Sequence, residues 1–226
     1  MMTYKFALDE LETKVEILIK EFQLLHDYNP IEHTKSRIKT PESILRKLKR
    51  KGVEVSLSSI KKHVKDIAGM RIICSFRSDI YRLSHMLQKQ RDLTVLEVQD
   101  YIKNPKPNGY QSLHLLVEVP VYMSDREERV CAEIQIRTIA MDFWASLEHK
   151  IYYKYKKAVP PYLLQELKAA ADSVTALDQK MEWLHNEISN TKDVSEEEEE
   201  GLYKLTINDQ QIYLPTALRE LFTNHR

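Results

Sequence analysis

The sequence contains only two cysteines, Cys74 and Cys131, and this scarcity excludes a disulfide framework. The two residues also lack the close spacing of a metal-binding cluster. Each lies in an apolar run typical of a strand, which favours buried free thiols. We therefore expect a protein of a reducing compartment and predict a cytoplasmic location.

Long apolar runs are missing as well. No run approaches the roughly 20 residues needed to cross a bilayer, and the N-terminal stretch does not resemble a signal peptide. The sequence therefore predicts a soluble protein with no membrane partner. With 42% hydrophobic residues among 226, the chain can bury the core of one domain, or of one domain with an appendage.

Net charge is the third absence, because 34 basic residues balance 34 acidic ones. The totals therefore predict no polyanionic partner, and we do not expect binding to nucleic acid. The balance hides a local excess: residues 35–65 contain eleven Lys and Arg against Glu42 and Glu54 only, a local charge of about +9. A field of that size attracts the phosphates of nucleotides or of nucleic acid.

Hydrophobic periodicity predicts an α+β fold. Four or five strands form its core, helices flank them, and long helices lie near both ends of the chain. The predicted helices cover residues 4–28, 58–67, 79–90, 138–157 and 162–190, and a short helix is opened by Thr40 and Pro41. The predicted strands cover residues 70–76, 94–101, 112–119 and 130–137. Two short strands and a last helical turn are expected after residue 201.

The same pattern divides the chain into three parts. Residues 1–190 are predicted to form the main domain, and residues 191–201, with five consecutive glutamates, a solvated acidic linker. Residues 202–226 form an appendage whose role the sequence leaves open.

The strand predicted at residues 130–137 alternates strictly, and its apolar set faces one way. The other set contains Glu133, Gln135 and Arg137, so this face either is solvated or lines a cleft. Neighbouring strands favour the cleft, because His114 and Arg71 can join the same surface. His114 taken alone would be read as a core histidine.

The short helix after Thr40 carries a hydroxyl and two cations on one face. At 100° per residue, Ser43, Lys47 and Arg50 fall within about 60° of one another. Arg37 and Lys39 come just before the helix, whose free N–H groups also favour anions. This arrangement suits a triphosphate, although a solvated basic face would have the same pattern.

Two further features complete the pattern. Asp66, at the end of the helix predicted over residues 58–67, can join Glu133 in holding Mg²⁺ between phosphate oxygens. Tyr110 follows a loop rich in proline and glycine, where an exposed ring can stack on a base.

Four ordered motifs resemble the synthetase domain of RelA/SpoT proteins, and most closely the small alarmone synthetases of the RelP type. They are DIAGMR at residues 66–71, GYQSLH at 109–114, EIQIRT at 133–138 and WASLEH at 144–149. The similarity covers roughly residues 5–190. It implies a nucleotidyltransferase-like mixed sheet of about five strands and transfer of the β,γ-pyrophosphate of ATP to the 3′-hydroxyl of GDP or GTP.

The resemblance also implies a role for each candidate residue. Glu133 would be the general base, with Asp66 and Glu133 at Mg²⁺. The ATP-binding residues would be Arg37, Lys39, Ser43, Lys47, Arg50 and Arg71, with the two arginines Arg37 and Arg71 around adenine. The residues for GDP or GTP would be Lys106, Tyr110, His114, Gln135 and Arg137. Asp142 stands where some relatives have Asn, so its role stays open. Relatives assemble as tetramers, which implies a homo-oligomer here.

Two other functions fit the same residues. One is a toxin-like enzyme that pyrophosphorylates the 3′ end of tRNA or makes an adenine product, and it would use the same ATP and Mg²⁺ motifs. The other is a non-catalytic module that binds RNA or nucleotide, which would not need Asp66 or Glu133. The choice among GMP, GDP and GTP as acceptor cannot be read from the sequence.

Overall fold

The computed structural model describes residues 1–26, 28–154, 160–195, 202–207 and 210–215. The chain divides into two compact units, Met1–Met181 and Glu182–Arg226. The helices are α1 (Met2–Leu25), α2 (Pro41–Arg50), α3 (Leu57–His63), α4 (Arg77–Gln88), α5 (Ile139–Lys154) and α6 (Pro161–Ser195). The strands are β1 (Ile31–Ile38), β2 (Ala68–Cys74), β3 (Thr94–Asp100), β4 (Leu113–Tyr122), β5 (Glu127–Thr138), β6 (Leu202–Ile207) and β7 (Gln210–Pro215).

Five strands form one mixed sheet in the order β1-β2-β5-β4-β3. β2 and β5 run parallel at its centre, and the other neighbouring pairs are antiparallel. The mixed sheet with its helices confirms the predicted α+β fold. In the second unit, β6 and β7 pair as the antiparallel strands expected there.

One face of the sheet is covered by helix α1, whose apolar residues recur at helical spacing. Leu11, Leu18 and Phe22 are at most 5% exposed and pack with the apolar set of the strands, such as Leu115 and Ile134. Burying each such side chain contributes roughly 1.5–3 kcal/mol relative to leaving it in water. Because strand side chains alternate, covering this face leaves the polar set of the same strands on the other side.

Two elements differ from the prediction. Strand β1 was not expected, because it is an edge strand on which only Ile31 is buried, so no clear alternation marks it. Helix α3 ends at His63 rather than at residue 67, so Asp66 lies in the segment between α3 and β2. The N-cap of α2 was predicted correctly: Thr40 Oγ1 accepts a hydrogen bond from the backbone N–H of Ser43.

The other bounds shift by a few residues. α6 continues to Ser195, so the first five residues of the predicted linker are helical. The helical turn expected near the C-terminus falls within residues 216–226, and the last residues of the helix predicted over 138–157 fall within 155–159; both stretches lie outside the described residues. Among the helices that the structure describes, none has the length and apolar character required to cross a membrane.

Candidate active site

The uncovered face of the sheet carries two rows of residues that cross all five strands. The strand pairings place Lys35, Arg71, Gln135, His114 and Gln99 side by side in the first row. They place Arg37, Gly69, Glu133, Leu116 and Glu97 in the second. Directly paired residues point to the same face of a sheet. Glu133 therefore lies at the middle of a polar surface to which every strand contributes.

Two cavities meet at this surface and share Asp66 and Glu133 as lining residues. One, of about 210 Å³, lies on the β1–β2 side, where Arg37 and Arg71 belong to its wall. Gly69 lies beside Glu133 in this cavity. Because glycine has no side chain, it takes up none of the cavity volume. The other, of about 280 Å³, lies toward β3 and β4 and has a basic wall. That wall consists of Lys47, Lys51, His63 and Lys65.

Asp66 is held by two lysines, one directly after β1 and one on α2. Its Oδ2 accepts a hydrogen bond from Lys39, and its Oδ1 lies 2.8 Å from Lys47 Nζ. Burial raises the pKa of Asp66, but the hydrogen bonds and charges of Lys39 and Lys47 outweigh it and hold this pKa below its usual value. The carboxylate is thus ionised at neutral pH and lies where two lysines converge.

Glu133 is half-buried and has a polar partner at each oxygen. Gln135 Nε2 donates to its Oε2 at 2.7 Å, and its Oε1 lies 3.3 Å from His114 Nδ1. Burial raises the pKa of Glu133, and the nearby Asp66 adds to this, but His114 and Gln135 together keep the pKa below its usual value. An ionised carboxylate in a cavity can accept a proton from a bound hydroxyl group.

Tyr110 lies at the edge of this surface, between two cations. Lys106 Nζ lies 4.8 Å from the centre of its ring, and the Arg137 guanidinium 5.0 Å from it. The Tyr110 hydroxyl is 2.8 Å from His114 Nε2 and accepts a hydrogen bond from Arg137. A ring held in this way can stack on a planar base when a cation leaves one of its faces.

The loop before Tyr110 is held by packing against helix α6. Gly109 has a φ of +89°, and a Cβ added there would lie 2.4 Å from the Cβ of Ala171. Trp144 and Ala171 form a small buried cluster with Tyr110 packed against it, and Trp144 Nε1 donates a hydrogen bond to the Leu167 carbonyl. The position of the Tyr110 ring therefore depends on α5 and α6 as well as on the sheet.

Replacing Gly109 by Ala is expected to lower the free energy of unfolding by roughly 2–5 kcal/mol. The left-handed φ accounts for about 1–2 kcal/mol of this, and the clash with Ala171 for about 1–3 kcal/mol. Gly52→Ala is the matched control, because Gly52 has a φ of +65° but nothing within 4 Å of an added Cβ. Urea unfolding measures both variants, and equal losses would show that the contact with Ala171 does not matter.

The structure brings most of the predicted site residues together. Arg37, Asp66, Arg71, Glu133 and Gln135 line the smaller cavity, and Lys47 and His114 line the larger. Lys39, Tyr110 and Arg137 reach the same surface through hydrogen bonds.

Three predicted residues stand apart from the two cavities. Ser43 and Arg50 lie on α2 outside both linings, and Arg50 is exposed at the end of that helix. Lys106 reaches the site only through the rings of Tyr101 and Tyr110. The roles of these three residues, like those of the other site residues, stay predictions.

Several lining residues were not singled out from the sequence. Lys51, His63 and Lys65 extend the basic wall. The charge excess of residues 35–65 was the signal for the two lysines, and His63 had none. Strand pairing alone brings three further residues to the cavities, and no local pattern reveals it. They are Gly69, Glu97 and Gln99.

A mixed sheet with one open polar face, and two cavities that share two carboxylates beneath basic side chains, define a protein that binds phosphorylated ligands. A sequence pattern described as the region found in RelA / SpoT proteins matches residues 36–158 of this chain. The chain belongs to the RelA/SpoT family.

Individual relatives show the similarity in more detail. The chain is 57% identical over 188 residues to the GTP pyrophosphokinase YwaC of Bacillus subtilis (strain 168), an alignment that covers 83% of this chain and 90% of that protein. The crystal structure of the small alarmone synthetase 2 from Bacillus subtilis matches with a TM-score of 0.75 at 56% identity, covering 82% of this chain and 96% of the other.

The small alarmone synthetase 1 from the same organism, bound to its product pppGpp, matches with a TM-score of 0.77 at 38% identity, covering 82% and 94%. The higher identity to synthetase 2 confirms the expected RelP type.

Proposed function

We propose that this protein transfers the β,γ-pyrophosphate of ATP to the 3′-hydroxyl of GDP or GTP, forming ppGpp or pppGpp as a stringent-response signal. The observation that carries the proposal is that one ionised carboxylate, Glu133, lines both cavities and can face two nucleotides at once. The names of the relatives, a GTP pyrophosphokinase and small alarmone synthetases, support the same reaction.

The donor ATP is assigned to the smaller cavity. Arg37 and Arg71 on its wall would stack on the adenine from two sides, as cations do on planar rings. Lys39 and Lys47 converge on Asp66 at the other end, where the phosphates would lie. Ser43 and Arg50 on the same helix would extend this contact. The cations neutralise charge that grows on the phosphate oxygens during transfer.

The acceptor is assigned to the side of the surface where His114 lines the larger cavity and contacts Tyr110. Tyr110 would stack on guanine, which requires Lys106 or Arg137 to leave one face of the ring. His114, Gln135, Arg137 and Lys106 would contact the acceptor and the transferred phosphates. Fixing both nucleotides aligns the attacking oxygen with the bond that breaks.

In the reaction, Glu133 takes the proton of the acceptor 3′-hydroxyl. The 3′ oxygen of the acceptor attacks the β-phosphorus of ATP at the same time. The new O3′–Pβ bond forms while the bond from Pβ to the oxygen that bridges to the α-phosphate breaks, and AMP leaves. Glu133 stays ionised at neutral pH because its pKa lies below the usual value. It is therefore ready to accept the proton.

Mg²⁺ is the cofactor that the residues of this cleft fit. Asp66 and Glu133 line the same two cavities, while no group of three acidic, histidine or cysteine side chains suited to a metal occurs among the described residues. Mg²⁺ commonly binds through one or two carboxylates together with phosphates of the substrate. When bound, it would neutralise negative charge on the triphosphate.

Incubation with γ-labelled ATP and Mg²⁺ tests the function. GMP, GDP, GTP and tRNA are supplied in separate reactions, and we expect label in a guanine nucleotide phosphorylated at the 3′ position. Label on tRNA alone, or on an adenine nucleotide alone, would contradict the proposal and support the toxin-like alternative. Since the substrates are cellular nucleotides, we propose a cytoplasmic location.

We further propose that the protein forms a homo-oligomer, a tetramer as the resemblance implies. In the first unit, Leu177 and Met181 on α6 are at least half exposed. Their spacing of four residues is that of a helical apolar stripe. An exposed stripe of this kind is typical of an interface.

Light scattering after size-exclusion chromatography is expected to give the mass of four chains for the wild type. Leu177→Glu combined with Met181→Glu should reduce that mass, because the charges would be buried in the interface. Gln179→Glu adds a negative charge at an exposed position on the opposite side of α6 and should leave the mass unchanged. A monomeric wild type would contradict the proposal.

A further inference from the structure

Asp142 holds two arginines from adjacent strands with a single oxygen atom. It lies in the first turn of α5, and its Oδ1 is 2.9 Å from Arg71 Nη1 on β2 and 3.0 Å from Arg137 Nη1 on β5. Arg71 lines the cavity assigned to ATP, while Arg137 contacts Tyr110 on the acceptor side. One carboxylate therefore connects the two halves of the site.

Arg137 belongs to a closed ring of polar contacts that contains Glu133. Its Nη2 donates to the Tyr110 hydroxyl at 2.5 Å and to Gln135 Oε1 at 2.9 Å. Gln135 Nε2 donates to Glu133, and Glu133 in turn faces His114 Nδ1. His114 Nε2 returns to the Tyr110 hydroxyl and closes the ring. Moving Arg137 would therefore disturb both the acceptor ring and Glu133.

Arg71 has no comparable set of partners. Its Nε is buried and makes no hydrogen bond with the residues that the structure describes. Burial and the positive charges of Arg137 and Arg37 lower the pKa of Arg71, and Asp142 opposes this shift. Without Asp142, the guanidinium groups of Arg71 and Arg137 would repel each other with no carboxylate between them, and Arg71 would lose its ion pair.

We propose that Asp142 is a positioning residue that couples the ATP site to the acceptor site. The assignment of ligands to the two sites rests on the proposed function. When ATP fixes Arg71, the Oδ1 atom of Asp142 also fixes Arg137, and the acceptor then binds to a site that is already ordered. The same holds in reverse when the acceptor binds first and fixes Arg137. By linkage the effect is reciprocal: each nucleotide tightens the binding of the other by the same factor.

The test measures the affinity of α,β-methylene-ATP, which cannot transfer its pyrophosphate, by calorimetry with and without GTP. For the wild type with Mg²⁺ we expect GTP to tighten this affinity by about 5- to 20-fold. Asp142→Ala should reduce that factor to about 1, and Asp142→Asn, which keeps an oxygen acceptor but no charge, to an intermediate value. In turnover assays Asp142→Ala should raise KM for both substrates together.

Two controls separate positioning from a general loss of structure. Asp92→Asn removes an aspartate that is ion-paired with Lys14 at 2.6 Å, outside both cavity linings, and should leave the coupling unchanged. In an Arg71→Ala background, adding Asp142→Ala should change the affinity for the ATP analogue little further, because the two residues act as a unit.

A wild-type affinity that does not depend on GTP, or full coupling in both Asp142 variants, would overturn the proposal. The isosteric Asn variant keeps this test available if the Ala variant does not fold. The binding assay needs no turnover. Failure of the proposed function would therefore appear separately, as absence of labelled guanine product from the wild type.

Discussion

Glu133→Gln is expected to slow pyrophosphate transfer by about 10²- to 10⁴-fold, the usual contribution of a general base. The amide has the shape of the carboxylate but cannot accept the proton of the acceptor hydroxyl. The affinity for α,β-methylene-ATP without metal should change by less than about threefold, since Glu133 contacts Gln135 and His114 rather than the basic helix. Transfer of γ-label and calorimetry measure the two quantities.

Glu118→Gln is the matched control for this change. Glu118 lies on β4 on the same face of the sheet as His114, four residues further along the strand. Its side chain is 28% exposed, against 26% for Glu133, and it lines neither cavity. We expect full activity from this variant. If Glu133→Gln also kept more than a tenth of the wild-type rate, another group would have to be the base.

The polar face of β5 could be predicted because alternation along one strand is a local property. Val130, Ala132, Ile134 and Ile136 are at most 5% exposed, as the pattern of residues 130–137 indicated. Glu133 and Gln135 face the cavities on the other side. Helix α2 was predictable for the same reason, because its cap and its buried Ile44 and Leu48 follow from adjacent residues.

The residues directly paired with Glu133 across the sheet could not be predicted, since they depend on which strands pair and in what register. β2 and β5 are neighbours although β3 and β4 come between them in the chain. That order places Gly69 beside Glu133 and Gln99 beside His114. Arg37 was expected just before the helix without a strand, because an exposed edge strand has no buried set to mark it.

Helical geometry alone was also insufficient on α2. Ser43, Lys47 and Arg50 share a face of the helix, but only Lys47 lines a cavity. Leu45, an apolar residue of the same helix, is 39% exposed. The 100° rotation per residue predicts which residues share a face, but it does not predict which of them reach a cavity.

Replacing Asp66 by Asn is expected to reduce Mg²⁺-dependent transfer by about 10²- to 10³-fold. Metal-ion stabilisation of phosphoryl oxygens is worth several kcal/mol, and each 1.36 kcal/mol changes the rate by a factor of about ten. The same replacement also releases Lys39 and Lys47 from their ion pairs with the carboxylate. Its effect on nucleotide binding should therefore depend on whether the metal is present.

Without Mg²⁺, the Asp66→Asn variant should bind α,β-methylene-ATP as tightly as the wild type or more tightly. A negative charge near the phosphates is gone, and two lysines are free to contact them. With Mg²⁺, the order should reverse, because the ion loses a ligand. Calorimetry in both buffers measures this crossover, with Asp92→Asn as a control that should show none. If Asp66→Asn weakened the binding of α,β-methylene-ATP equally with and without Mg²⁺, Asp66 would act by placing the lysines and not by holding the metal.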